Sequence, residues 1–206
     1  MALIGHDIVS LQDKFNAKSF ADDRFIKKIM TQTELQYFHS SKTLINIPAL
    51  FWSCKESVYK IKMKQGQKIA FVPGYFEIDT SKLIIKKETY SFQNISGTIK
   101  ENTNVYYFKS ILTNEYILSI ACTDNEKLEQ VEHKIGKSIH NNKSIKARNN
   151  VKNQISNLLT VLQHDIKFHK NEMLIPSVSI NGNQSIFDIS FSHDGLYYSS
   201  AILALI

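Results

Sequence analysis

From residue 69 to residue 122 the chain carries six β-branched or aromatic runs, at 69–72, 76–78, 83–85, 90–99, 105–112 and 116–122, separated by turn residues. Such a succession reads as an antiparallel meander. Helical spacing precedes it: Phe25, Ile26 and Ile29, then Leu35, Tyr37 and Phe38, with Thr31 and Glu34 placed for a capping box between the two pieces. A short strand is expected at residues 3–9. After a boundary near Asp124, a second helix is expected at 145–164, then strands at 187–192 and 197–205 joined by a tight turn at His193-Asp194-Gly195. The expected fold is therefore α+β, in two pseudo-symmetric subdomains, 1–124 and 125–206, each an antiparallel sheet packed on helices. Hydrophobic residues at 43% and charged residues at 21% of 206 exclude a disordered chain or a coiled coil. Two cysteines, Cys54 and Cys122, both in apolar surroundings, suit a reducing compartment rather than a disulfide framework. With no signal peptide or membrane span in the pattern, a cytoplasmic protein is expected.

The helix expected at 48–64 has two unlike faces. On a wheel of about 3.6 residues per turn, Leu50, Cys54, Val58 and Ile61 form a core stripe. Trp52, Glu56, Tyr59, Lys60 and Met63 fall opposite, an odd mixture for a solvated face and a reasonable one for a cleft wall. Glu56 and Lys60, one turn apart, can reach one another or share a ligand. Asp7 lies at the end of an apolar strand, where a buried carboxylate is costly without a cation or several donors. Asp7 and Glu56 together could hold a hard cation such as Mg²⁺, which takes one or two carboxylates alongside phosphate oxygens and water.

The stretch Gly5-His6-Asp7, followed by Trp52-Ser53-Cys54-Lys55-Glu56-Ser57-Val58-Tyr59-Lys60, resembles the paired signature motifs of the 4′-phosphopantetheinyl transferases. Arg24-Phe25 with Met30-Thr31 and Glu34 is similar to an intervening family segment, and Ser190-Phe191-Ser192-His193 is similar to the family's Ser-His strand. That strand comes last here, as in the short holo-acyl-carrier-protein synthases, although the chain is longer and its residues 106–122 look like the tail of a surfactin-type half. The resemblance implies transfer of the phosphopantetheine arm from coenzyme A to a serine of an apo acyl or peptidyl carrier protein. It further implies Mg²⁺ on Asp7 and Glu56, catalytic roles for Asp7, Glu56 and Lys60, and coenzyme A contacts from Lys55, Lys60, Ser192 and His193. A single chain would complete the site as a pseudo-dimer, with a trimer as the alternative assembly. Val9 stands where some surfactin-type enzymes carry a third acidic ligand, so water is expected there. Leu174-Ile175-Pro176 is the nearest match to a family Gly-Lys-Pro motif and lacks its lysine.

A formal net charge of +6 suggests an anionic partner. Lys134, Lys137, Lys143, Lys146, Arg148 and Lys152 lie in a stretch with no acidic residue between Glu132 and Asp165. Coenzyme A, an acidic carrier protein and nucleic acid all suit such a stretch, as does a plain solvated face. Arg24, Lys27 and Lys28 make a second basic patch. The transferase reading expects neither nucleic acid nor membrane as partner. The alternatives are a basic nucleic-acid-binding protein and a non-catalytic binder of carrier proteins.

Overall fold

The computed structural model describes residues 1–41, 46–67, 69–89 and 92–205. Strand β1 (Ile4–Ser10) leads into three short helices, α1 (Lys14–Ser19), α2 (Asp23–Ile29) and α3 (Gln32–Ser40), and then the long α4 (Ile47–Lys64). Asp13 and Asp22 cap α1 and α2 through their carboxylates, and Thr31 with Glu34 forms the expected capping box of α3. Pro48 occupies the first turn of α4, where its missing N–H leaves no helical bond unmade.

Strands β2 (Glu77–Ile78), β3 (Ile84–Thr89), β4 (Phe92–Glu101), β5 (Asn104–Thr113) and β6 (Tyr116–Cys122) join β1 in one antiparallel sheet, ordered β1-β6-β5-β4-β2 with β3 also on β4. The meander is thus present, with two adjustments. The run at 69–72 is not a strand; Phe71 there packs among aromatic rings instead. The run expected at 90–99 is β4, its positions 90 and 91 lying outside the described residues.

Helix α4 lies against β1, β6 and β5. Its stripe of Leu50, Cys54, Val58 and Ile61 is fully buried among Val9, Ile95, Ile99, Phe108 and Ile117. Gly5 makes that approach possible. A Cβ there would stand 2.0 Å from the Ser57 carbonyl oxygen, so only glycine lets β1 sit this close to α4. The period of two along β1 then divides its side chains: Asp7 and Val9 face α4, while Ile4, His6 and Ile8 face the opposite layer.

That opposite layer is built from α5 (Asn125–Leu128), β7 (Glu132–Lys137), α6 (Lys143–Leu159), β8 (Ile166–Lys170), β9 (Pro176–Ile180), β10 (Asn183–Gln184), β11 (Phe187–Asp194) and β12 (Tyr197–Ala204). Strands β11, β12 and β7 form one antiparallel sheet, and β10, β9 and β8 another. A core of Ile4, Ile8, Leu118 and Ile120 with Leu128, Val131, Tyr197 and Leu203 joins the β12 sheet to the outer face of the first sheet. A further core, Val151 and Ile155 of α6 with Ile166, Val178, Ile189 and Ile202, holds the β8 sheet.

Helix α6 stops at Leu159 rather than continuing to 164, because Thr160 adopts a left-handed backbone. The expected turn moves by two residues. His193 and Asp194 still pair, with Tyr198 and Tyr197, and the turn proper is Gly195-Leu196, where Gly195 supplies the positive φ. Strands β7, β8 and β9 were not evident from the sequence, being short and largely polar. Among the described residues no helix is long and apolar enough to cross a membrane.

Candidate functional site

Asp7 projects from β1 and Glu56 and Lys60 from α4 into one cleft of about 400 Å³. Its other wall comes from Ser144, Ala147 and Arg148 of α6, Lys170 at the end of β8, Leu174, Pro176 of β9, and Phe191, Ser192 and His193 of β11. Residues 185 positions apart therefore meet directly, the Ser192 hydroxyl donating to Asp7 Oδ1 at 2.8 Å. The Lys60 ammonium donates to the same oxygen at 3.1 Å and to the His6 carbonyl at 2.8 Å. An ammonium has three protons, so one remains for the cleft.

Glu56 is held differently. Among the described residues its carboxylate makes no hydrogen bond or ion pair at contact distance. Burial raises its pKa from 4.5 to about 7, with Lys60 opposing and the charge of Asp7 adding to the rise. Asp7 Oδ2 likewise has no partner among the described residues, since both bonds fall on Oδ1. Both carboxylates face one cleft, and a divalent cation with oxygen preference fits such a pair. Among the described residues no group of three or more His, Cys, Asp and Glu converges.

Lys55 stands elsewhere. Its side chain is fully buried, with Nζ 2.6 Å from Glu34 Oε2 and 2.7 Å from the Ile29 carbonyl. Glu34 also accepts from the Thr31 and Ile78 amides, so one carboxylate ties α3, α4 and β2 together. The structure thus places Lys55, for which a coenzyme A contact is expected, in an internal ion pair, since successive helical residues point about 100° apart and, among the described residues of α4, Glu56 and Lys60 line the cleft. Ser192 lines the cleft too, its hydroxyl donating to Asp7 Oδ1 and its oxygen accepting from the Ile8 amide at 3.3 Å. His193 lines the cleft and is exposed.

Trp52 and Tyr59 share the face of Glu56, yet they are covered: Trp52 packs on Phe25 and Phe71, and Tyr59 on Phe71. The cleft wall is the narrower strip of Glu56, Lys60 and Met63, with Met63 in the adjoining recess beside Met173 and Leu174. His6 is fully buried against Ser199, and burial holds its pKa well below 6.5. The basic stretch is divided. Lys137 pairs with Glu115, Lys143 donates to the Gly195 carbonyl, and only Arg148 of that stretch lines the cleft. Arg148 was legible only as one cation in a run; Lys170 carried no signal beyond its charge.

Comparison with known proteins gives the family. Residues 3–121 match the family model described as the 4′-phosphopantetheinyl transferase superfamily. A curated relative, the holo-[acyl-carrier-protein] synthase of Caldicellulosiruptor saccharolyticus, is 28% identical over 126 residues, which cover 61% of this chain and 97% of the relative.

Proposed function

The chain belongs to the 4′-phosphopantetheinyl transferase superfamily, and from that premise we propose that it transfers the 4′-phosphopantetheine arm of coenzyme A to a serine hydroxyl of an apo carrier protein. The observation carrying this reading is the convergence on one cleft of Asp7 from the first motif, Glu56 and Lys60 from the second, and His193 from the last hairpin. We read residues 1–124 and 125–206 as two halves that share the site.

In the proposed reaction the serine oxygen bonds to the phosphorus bearing pantetheine. The bond from that phosphorus to the bridging oxygen breaks, and adenosine 3′,5′-bisphosphate leaves. Asp7 and Glu56 would hold Mg²⁺, which when bound neutralises charge on the diphosphate. Glu56 lines the cleft beside Asp7 and Lys60, where its carboxylate can accept the serine proton. Lys60 keeps Asp7 oriented and turns its remaining proton toward the departing phosphate. Arg148 and Lys170 put positive charge on the opposite wall, beside His193, where the nucleotide end of coenzyme A would lie. Exposed Arg24, Lys27 and Lys28 on α2 offer charge complementary to an acidic carrier.

The test is the mass gain of purified apo carrier proteins with coenzyme A and Mg²⁺. Asp7→Ala and Glu56→Ala should each lose on the order of 10²-fold or more in rate. Arg148→Ala or Lys170→Ala should raise the KM for coenzyme A about tenfold, as loss of a charged hydrogen bond does. Wild-type rates in both carboxylate variants, or no gain on several carriers, would refute the reading.

A further inference from the structure

Strand β1 is an edge strand: one side pairs with β6, and the other would leave a row of amides and carbonyls bare. Side chains of β11 cover that row. The amides of Ile4, His6, Ile8 and Ser10 donate in turn to Asp188 Oδ2 (2.7 Å), Ser190 Oγ (3.2 Å), Ser192 Oγ (3.3 Å) and Asp194 Oδ2 (2.7 Å). Each pair is 184 positions apart, so β1 and β11 run in the same direction and alternate β11 side chains stand in for a backbone partner. Lys64 fastens one end of the seam, donating to the Ile4 carbonyl, the Ile189 carbonyl and Asp188 Oδ1, each at 2.7 Å.

One rung differs from the others. Ser192 accepts from β1 like its neighbours, and its hydroxyl also donates a hydrogen bond to the Asp7 carboxylate. Asp7 Oδ1 is thereby gripped from two elements distant in sequence, by Lys60 of α4 and by Ser192 of β11, which leaves Oδ2 without a partner among the described residues. We infer that Ser192 is a positioning residue, through which the seam with β11 sets the Asp7 carboxylate for a divalent cation. This rests on the transferase reading for the presence of the ion, but the role falls to a different residue pair from the substrate contacts. Residues that orient a metal-ligating carboxylate typically contribute 10–100-fold in metal affinity.

The seam provides its own control. Ser190 makes the neighbouring rung, to the His6 amide, and touches no cleft carboxylate. Mn²⁺ binding is followed by electron paramagnetic resonance on the whole chain with coenzyme A present and no carrier protein, so that no turnover occurs. Ser192→Ala should weaken Mn²⁺ binding about tenfold or more. Ser192→Thr, which keeps the hydroxyl, should restore most of it, and Ser190→Ala should leave it within about twofold of wild type. Urea denaturation of all three confirms that folded proteins are compared. Unchanged binding in Ser192→Ala, an equal loss in Ser190→Ala, or no Mn²⁺ binding by wild type would each overturn the proposal. If these shifts occur while wild type modifies no carrier, the transferase reading fails and the positioning role stands. If wild type modifies its carrier and Ser192→Ala binds Mn²⁺ normally, the positioning role alone fails.

Discussion

Lys55 sits inside the most specific motif of the chain, beside Glu56, yet its environment assigns it to stability. Replacing it by methionine keeps the length of the side chain and removes the ammonium. Two groups lose their partner together. Glu34 loses a charge partner at 2.6 Å in a site where both side chains are fully buried, and the Ile29 carbonyl loses its donor at 2.7 Å. The Glu34 carboxylate keeps the Thr31 and Ile78 amides, so part of its charge stays compensated. Removing one partner of a buried pair costs about 3–5 kcal/mol, a large fraction of the roughly 5–15 kcal/mol that holds a domain folded. Equilibrium urea unfolding should report a loss of that size in Lys55→Met. Glu34→Gln, which keeps one acceptor oxygen, sets an NH₂ donor against one of the two amides and strands the ammonium, should be destabilised at least comparably. In the fraction that remains folded, the KM for coenzyme A should stay within about threefold of wild type, because no phosphate contact has been removed. A variant of unaltered stability with a KM raised tenfold or more would refute this account and return Lys55 to the substrate.

Two further outcomes follow from the same structure. Glu56 has its folded pKa raised above its unfolded value, so the unfolded chain releases its proton first and wild type loses stability as pH climbs from 4.5 to about 7. In metal-free protein, Glu56→Gln should match wild type near about pH 4 and exceed it by about 2–3 kcal/mol near pH 8, at roughly 1.4 kcal/mol per pH unit. Taking the difference between the two cancels His6, whose depressed pKa makes both proteins less stable as pH falls below 6.5. A pH-independent difference in urea midpoints would contradict the assigned environment of Glu56, and adding Mg²⁺ should narrow the gap. Gly5→Ala would place a methyl 2.0 Å from the Ser57 carbonyl, forcing β1 off α4 and separating Asp7 from Lys60. It should cost about 1–3 kcal/mol or more, together with most of the transferase rate, as measured by unfolding and arm transfer on the same preparation.

Much of this molecule was written in local pattern. The meander, the core stripe of α4 and the Thr31–Glu34 box follow from periods of two and about 3.6 and from capping chemistry, which depend on near neighbours in the chain. Asp7, Glu56 and Lys60 were read as one site through the resemblance of their motifs to those of the family, and all three line one cleft. Neighbouring residues in the signature proved to have different destinations. Whether Lys55 meets a phosphate or Glu34, and whether Ser192 donates to substrate or to Asp7, depends on which surface is opposite, and spacing along the chain does not encode that. The same holds for Arg148 and Lys170, brought to the cleft by packing of α6 and β8 on a core of Val151, Ile155 and Ile166. The sequence by itself determined the helix α4, most of the first sheet and the last hairpin, since periodicity and short motifs act within a few residues. Only the tertiary structure decided the seam between β1 and β11, and with it the second grip on Asp7, because hydrogen bonds spanning 184 and 185 positions exist only after the two strands have been brought side by side.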